Sequence, residues 1–244
     1  MASGPKKNMA WAQGLYKTST TKKECLGAKR ETLDGRTFRY AKAAATLVAG
    51  GATQAAAATA NHVAQIQTSG AATAAGKTVV AVYVGATAVT ANQYDDGYLF
   101  FYRGGTGTAG PYYAIASHTT SAAGSEIIYV TLKDPLIGAI AVDDYLSLIP
   151  NPWSALAIGT DVAVFPTGQA MAAASSGEYL WVQTGGVSSF KGGDTAAVGM
   201  KMSTGTTDHT LLTAAAYTSP SVGAIYATAA VSGYFGPIYM LLDA

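Results

Sequence analysis

The sequence predicts an all-β protein, an antiparallel β-barrel or jelly-roll-like sandwich with an extended N-terminal arm. Three observations predict it. Short runs rich in β-branched and aromatic residues recur from residue 77 onward. Clusters of Gly, Asn and Asp divide them, as in sandwiches and barrels. No apolar pattern of helical length stands between the runs, which argues against a parallel sheet with crossover helices.

The elements follow in chain order. Residues 1–30 read as a basic arm, polar apart from Trp11 and Tyr16 and without a period of 2 or 3.6. Such a segment orders when it finds a partner. Lys6, Lys7, Trp11, Tyr16, Lys17, Lys22 and Lys23 are its candidate contact residues, because aromatics anchor interfaces and cations steer them. Residues 31–244 form the body. Within 31–76 the sequence predicts a hairpin and an Ala/Gly-rich connection. Asp34-Gly35, flanked by alternating residues, signals a type I′ hairpin turn. Phe38 and Tyr40 share one face of its second strand, while Arg36 and Arg39 stay polar. Ala propensity suggests a short helix over 53–67. Residues 77–244 form the main barrel or sandwich, with strands expected over 77–84, 98–103, 111–117, 125–132, 145–149, 161–165, 178–184, 222–230 and 236–242.

Composition narrows the class of function. Charged residues are 12% of the chain, about half the roughly 25% of ordinary soluble domains. Hydrophobic residues reach 49%, but Ala supplies much of that, and Ala buries little area per residue. A charge-poor body of this kind suits an oligomer or a protein held on a larger surface. The charge is also lopsided. The first 42 residues hold ten of the fifteen Lys and Arg and three acids, a net +7, and the rest nets −6. That asymmetry points to a tail that docks, and so to binding or assembly. An acidic protein surface and a nucleic acid would both attract the arm. The acidic body favours the protein, and direct nucleic-acid binding is not expected. Cys25 is the only cysteine, so an intrachain disulfide is excluded, and a small, partly buried apolar role is expected of it. The sequence shows no signal peptide and no membrane span, so synthesis in the cytoplasm is the expectation.

The chemistry-bearing candidates are sparse. Gly105-Thr-Gly107-Thr-Ala-Gly110 matches a dinucleotide fingerprint, but a strand-like segment follows it where the motif needs a helix. It reads as a hairpin connection. His62, His118 and His209 are isolated, without metal-ligand spacing. Asp95-Asp96 and Asp143-Asp144 read as turn and capping residues. No G-x-S-x-G elbow occurs. No catalytic, cofactor or metal site is expected, and the chain does not read as an enzyme. Tyr112, Tyr113, Trp153 and Trp181 read as core or subunit-interface aromatics, with glycan-stacking platforms as the alternative.

Three stretches carry a resemblance. They are Lys29-Arg30-Glu31-Thr-Leu-Asp34-Gly35-Arg36-Thr-Phe38-Arg39-Tyr40-Ala41-Lys42, then Asp144-Tyr-Leu-Ser-Leu-Ile-Pro150-Asn151-Pro152-Trp153, then Gly177-Glu-Tyr179-Leu-Trp181-Val-Gln183-Thr184-Gly185-Gly186. In this order and spacing the chain resembles the head decoration, or capsid cement, proteins of tailed bacteriophages. The resemblance implies a β-barrel or jelly-roll-like homotrimer bound to the major capsid protein on the outer surface of an icosahedral capsid, stabilising the shell. It carries over no catalytic residue. A phage tail or fibre component, or a carbohydrate- or host-receptor-binding β module, is the alternative.

Overall fold

The computed structural model describes residues 11–63, 66–67, 72–103, 112–122, 126–142, 144–159, 165–193, 195, 197–204, 211–213, 221–225, 232 and 234–243. Among them every regular element is a strand, and every strand pairing is antiparallel. In chain order the strands are β1 (Lys29–Glu31), β2 (Thr37–Lys42), β3 (Ala52–Gln54), β4 (Ile66–Gln67), β5 (Val79–Tyr83), β6 (Tyr98–Arg103), β7 (Tyr112–His118), β8 (Ile127–Leu132) and β9 (Tyr145–Ile149). Then follow β10 (Ala157–Ile158), β11 (Pro166–Ala170), β12 (Tyr179–Lys191), β13 (Lys201–Thr204), β14 (Leu211–Thr213), β15 (Gly223–Ile225) and β16 (Phe235–Leu241). The chain divides into two compact units, Met1–Ala55 with Ala155–Ala244, and Ala56–Ser154. The sequence reading draws its line at residue 30 instead. Residues 11–30 fall within the first unit.

The first unit is built on a sheet ordered β10-β3-β11-β12-β16-β15-β13-β14, with the β1–β2 hairpin joined through β2 and β12. Strand β12 organises it. Its first half pairs with β2, from Tyr179↔Lys42 to Gly185↔Thr37, and its second half with β16, from Gly185↔Leu241 to Lys191↔Phe235. The sequence reading ends this strand at Thr184, before the glycines. Gly185 and Gly186 do not end it. The register shifts between Gln183 and Gly185, a bulge at Thr184 where β12 passes from β2 to β16. Gly186 has φ 80 and its α-carbon faces the hairpin backbone, where a Cβ would meet the Gly35 carbonyl at 2.9 Å. Phe38, Tyr40 and Trp181 form one buried cluster, and Phe190, Met202, Val222, Ile225, Ile238 and Met240 belong to another.

The second unit is a six-stranded sheet ordered β4-β9-β6-β7-β8-β5. It curls until its two edge strands, β4 and β5, approach each other, giving a half-barrel. The alternation is clean in β5 and at the start of β7 and β8. Val80, Val82, Ile115, Ile128 and Val130 are buried, while Val79, Tyr83, Tyr112, Ile127 and Tyr129 are exposed; in β9 Leu146, Ser147 and Leu148 are all buried.

Three local expectations are corrected. The described part of 53–67 holds no helix, because Ala52–Gln54 is a buried strand between β10 and β11. The turn at Asp34-Gly35 is not type I′. Gly35 alone there has positive φ, at 80, and its N–H donates to the Thr32 carbonyl (3.0 Å). That is a type I turn closed by a left-handed glycine. Cys25 is exposed rather than partly buried. The expected strand over 161–165 lies mostly outside the described residues, as does the Gly105–Gly110 loop, whose flanking strands β6 and β7 are antiparallel neighbours.

Candidate interaction surface

Residues 11–28 form a strap laid against β2 and β12. The sequence reading leaves this arm unordered until a partner arrives, but the strap has a partner in its own sheet. Trp11 meets Trp181 edge to face, with centroids 5.1 Å apart, and Leu15, Leu26 and Ala28 pack on the same cluster. Tyr40 completes it, 5.2 Å from Trp181 and stacked on Tyr179 at 5.9 Å.

Gln13 locks the strap. It is buried, and its side chain is saturated with hydrogen bonds. Its amide N–H groups donate to the carbonyls of Lys17 (2.6 Å) and Tyr179 (3.0 Å). Its Oε1 accepts from the Ser19 hydroxyl (2.7 Å) and the Tyr40 hydroxyl (2.8 Å). Its backbone carbonyl accepts from Trp181 Nε1 (3.1 Å) and Arg30 Nη1 (3.3 Å). A two-way bridge closes beside it: Ser19 N–H donates to Tyr179 O (3.1 Å), and Tyr179 N–H to Ser19 O (2.8 Å). Buried polar groups are tolerated when satisfied this fully.

The outward side of the strap is cationic and aromatic. Tyr16 is 61% exposed, and Lys17, Lys22 and Lys23 are exposed. Arg36, on the neighbouring hairpin, donates to the Tyr16 hydroxyl (3.4 Å) and pairs through Nε with Asp34 Oδ2 (2.7 Å). The Thr32 hydroxyl and Arg36 together hold the Asp34 carboxyl below its ordinary pKa. At the hairpin tip Leu33 stands fully exposed. Other cations of the basic region are engaged within the chain. Arg30 lies over Trp11 and Trp181, 5.9 and 5.7 Å from their centroids. Lys29 pairs with Glu31 (2.9 Å). Arg39 forms a two-pronged pair with Asp243, Nε–Oδ2 2.7 Å and Nη2–Oδ1 2.8 Å. Part of the +7 counted in the sequence is therefore structural. Among the described residues of the strap, Lys17, Lys22 and Lys23 are exposed.

The predicted contact residues divide accordingly. Lys6 and Lys7 lie outside the described residues. Trp11 is half-buried against Trp181, while Tyr16, Lys17, Lys22 and Lys23 face out. Of the four candidate aromatics, Trp181 and Tyr113 are buried, Trp153 is half-buried and Tyr112 is exposed. Trp181 and Tyr113 therefore present no exposed ring face. Tyr113 sits in the half-barrel core, and Trp181 serves the strap. Sequence reasoning missed Gln13, a lone amide in a polar stretch, and Leu33, hidden in a turn motif. It also missed Tyr98 and Phe100, which join Tyr112 on the outer face of the half-barrel.

The two described histidines, His62 and His118, are engaged in hydrogen bonds within the chain. His62 is buried, donating Nε2–H to the Thr87 carbonyl (2.9 Å) and accepting at Nδ1 from the Tyr94 hydroxyl (2.6 Å). Burial pushes the Tyr94 hydroxyl above its ordinary pKa, so it keeps the proton it donates. His118 Nε2 accepts the Tyr94 backbone N–H (3.0 Å). His209 and Asp143 lie outside the described residues. Asp144 caps the Ala141 N–H (2.9 Å), and Asp96 adopts a left-handed turn conformation with φ 60. Among the described residues no group of three or more His, Cys, Asp or Glu could hold a metal ion. In comparison with known proteins, no family model matches the chain, and no curated protein or solved structure matches it.

Proposed function

We propose that the chain is a structural protein of a tailed-bacteriophage virion, a decoration or cement protein that binds the outer surface of the capsid and stabilises the shell. The three resembling stretches motivate this reading. The observation that carries it is the strap with the neighbouring hairpin, where Tyr16, Lys17, Lys22 and Lys23 of the strap and Leu33 of the hairpin tip are exposed. Exposed aromatic and aliphatic anchors among cations suit an acidic protein surface.

The mechanism is mechanical. Gln13 and Trp11 hold the strap in place before any partner arrives, so docking loses little ordering entropy. The lysines steer the encounter with the major capsid protein, and Tyr16 and Leu33 fill shallow apolar sites. A homotrimer repeated over a symmetric lattice multiplies a modest contact into strong retention. Co-sedimentation with capsids lacking the protein tests this. The unaltered chain should bind at low salt and weaken as salt screens the lysines. Lys17→Glu with Lys23→Glu should abolish binding while leaving the fold intact. Undiminished binding by that double variant would overturn the strap as the docking surface.

A further inference from the structure

Among the described residues, the outer face of strands β5, β7, β8 and β9 is apolar, aromatic and uncharged. The core face of the half-barrel sheet is set by Leu99, Tyr113, Ile128 and Val82. The alternate positions, which point outward, include Tyr83, Phe100, Tyr112, Ile127 and Tyr129, all exposed. Tyr98, Phe100 and Tyr112 form a triangle of rings. Phe100 stacks on Tyr112 at 5.4 Å, and Tyr98 lies 6.1 and 6.2 Å from the two. On β5 and β8 the register sets Tyr83 opposite Ile127 and Ala81 opposite Tyr129. No outward position of β5, β7, β8 or β9 among the described residues is charged. Lys77, Asp95, Asp96, Glu126, Lys133 and Asp134 stand beyond the strand ends.

We infer that this face is a self-association surface, and that its occupant is the same face of a second copy of the chain. Area supports an interface. A buried Tyr or Phe removes roughly 150–250 Å² from water. Tyr112 and Tyr129 are each 54% exposed, and Tyr83 and Phe100 each 37%, so these four rings alone offer on the order of 350 Å². Val79 and Ile127 bring the face past about half of the roughly 800 Å² that each partner gives to a standard interface. Chemistry then selects the occupant. The described outward positions of β5, β7, β8 and β9 offer no cation to neutralise a phosphate backbone or an anionic headgroup. A sugar site needs convergent polar groups around its stacking rings. Here the register neighbours of the ring triangle are Ala114, Ile149 and Ser147, and Ser147, the one polar group among them, is buried. An uncharged apolar face is complementary to itself, since an isologous contact brings no like charges together, and same-chain interfaces are the more apolar class. A self-matched face is a two-fold contact, so it joins copies in pairs and does not close the ring of a trimer; the inference goes beyond the proposed homotrimer and stands on the face alone.

The test is the solution mass of the full chain by light scattering and sedimentation over a wide concentration range, beside Tyr112→Lys with Tyr129→Lys. The unaltered chain should give a multiple of 24.8 kDa, and the double variant should give the single-chain mass with an unchanged circular dichroism spectrum. Should the variant fail to fold, hydroxyl-radical footprinting of the unaltered chain decides. Tyr112 and Tyr129 should lose reactivity several-fold as the oligomer forms, while Tyr16 should not. A monomer at all concentrations, a double variant that keeps the wild-type mass, or undiminished reactivity at Tyr112 and Tyr129 in an oligomer would each overturn the inference. So would a monomer retained on a glycan array through Tyr112, which would hand the face to a sugar. An oligomer built through this face that ignores capsids leaves the inference standing and defeats the capsid reading. A monomer that binds capsids does the reverse.

Discussion

Replacing Gln13 with Ala should release the strap without unfolding the sheet beneath it. The side chain makes four hydrogen bonds, to the carbonyls of Lys17 and Tyr179 and from the hydroxyls of Ser19 and Tyr40. Each is worth about 0.5–1.5 kcal/mol net. Some partners keep a second bond: Tyr179 O still receives the Ser19 N–H, and the Ser19 hydroxyl still reaches Thr21 O. The total loss should therefore sit in the lower half of the range, about 2–4 kcal/mol. The strap can open locally, so the effect belongs to a sub-global unit. Native-state hydrogen exchange reads it directly. The amides of Ser19 and Tyr179, which bridge strap and sheet, should lose protection by roughly 30- to 1,000-fold. The Leu242 amide, bonded to Thr184 O at 3.1 Å in the β12–β16 region, should hold. Unchanged protection at Ser19 and Tyr179 would refute the clamp. An equal loss at Leu242 would refute the separation of strap from sheet.

Other perturbations probe the supporting structure. Asp243 accepts two bonds from Arg39 and one from the Thr184 hydroxyl (2.8 Å), and the Arg39 contact first holds its pKa below the ordinary value. A depressed carboxylate pKa stabilises above the unfolded value, about 3.9, and the gain is lost as pH falls through the lower folded value. Asp243→Asn should thus cost about 1 kcal/mol at neutral pH, after discounting for partial exposure. Its melting difference from the parent should shrink in acid, and a difference independent of pH would contradict the assignment. Gly168 has φ 125, and a Cβ there would meet the Gln183 carbonyl at 2.1 Å, whereas Gly177, at φ 90, faces open space. Gly168→Ala should abolish soluble expression or cost more than about 3 kcal/mol, and Gly177→Ala only about 1 kcal/mol. Equal melting temperatures for the pair would remove the close approach from the account. His62→Phe takes the acceptor from the Tyr94 hydroxyl, which keeps the bond from the Gln93 amide (3.2 Å), and the donor from the Thr87 carbonyl, and should lower stability by about 1–3 kcal/mol in urea titration. A neutral substitution would mean that this buried pair is dispensable.

The half-barrel was the most legible part of the fold. Runs rich in aromatic and β-branched residues at 98–103 and 125–132, divided by turn residues, mark them as strands. The strands β6 and β9 fall where the pattern put them. The first unit was harder. Strand β11 reads Pro-Thr-Gly-Gln-Ala and is buried throughout, yet Pro and Gly argue against a strand on propensity. Its burial comes from the close approach of Gly168 to β12, a tertiary fact. Ala propensity over 53–67 lost to the same neighbourhood, where Thr53 donates to the Gly168 carbonyl (3.0 Å). The lopsided charge was visible, but not which cations would turn inward. That depends on Asp243 and Trp181, both far along the chain. Gln13 gave no local signal at all, since its bonding groups lie at Tyr40 and Tyr179 as well as nearby.

The most direct test of the capsid reading is electron cryo-microscopy of phage heads assembled with and without the chain. The account predicts added density on the outer surface at repeated lattice positions, contacting the major capsid protein through the face that carries Tyr16, Lys17 and Lys23. Heads unchanged by the protein, or density confined to the tail, would contradict it.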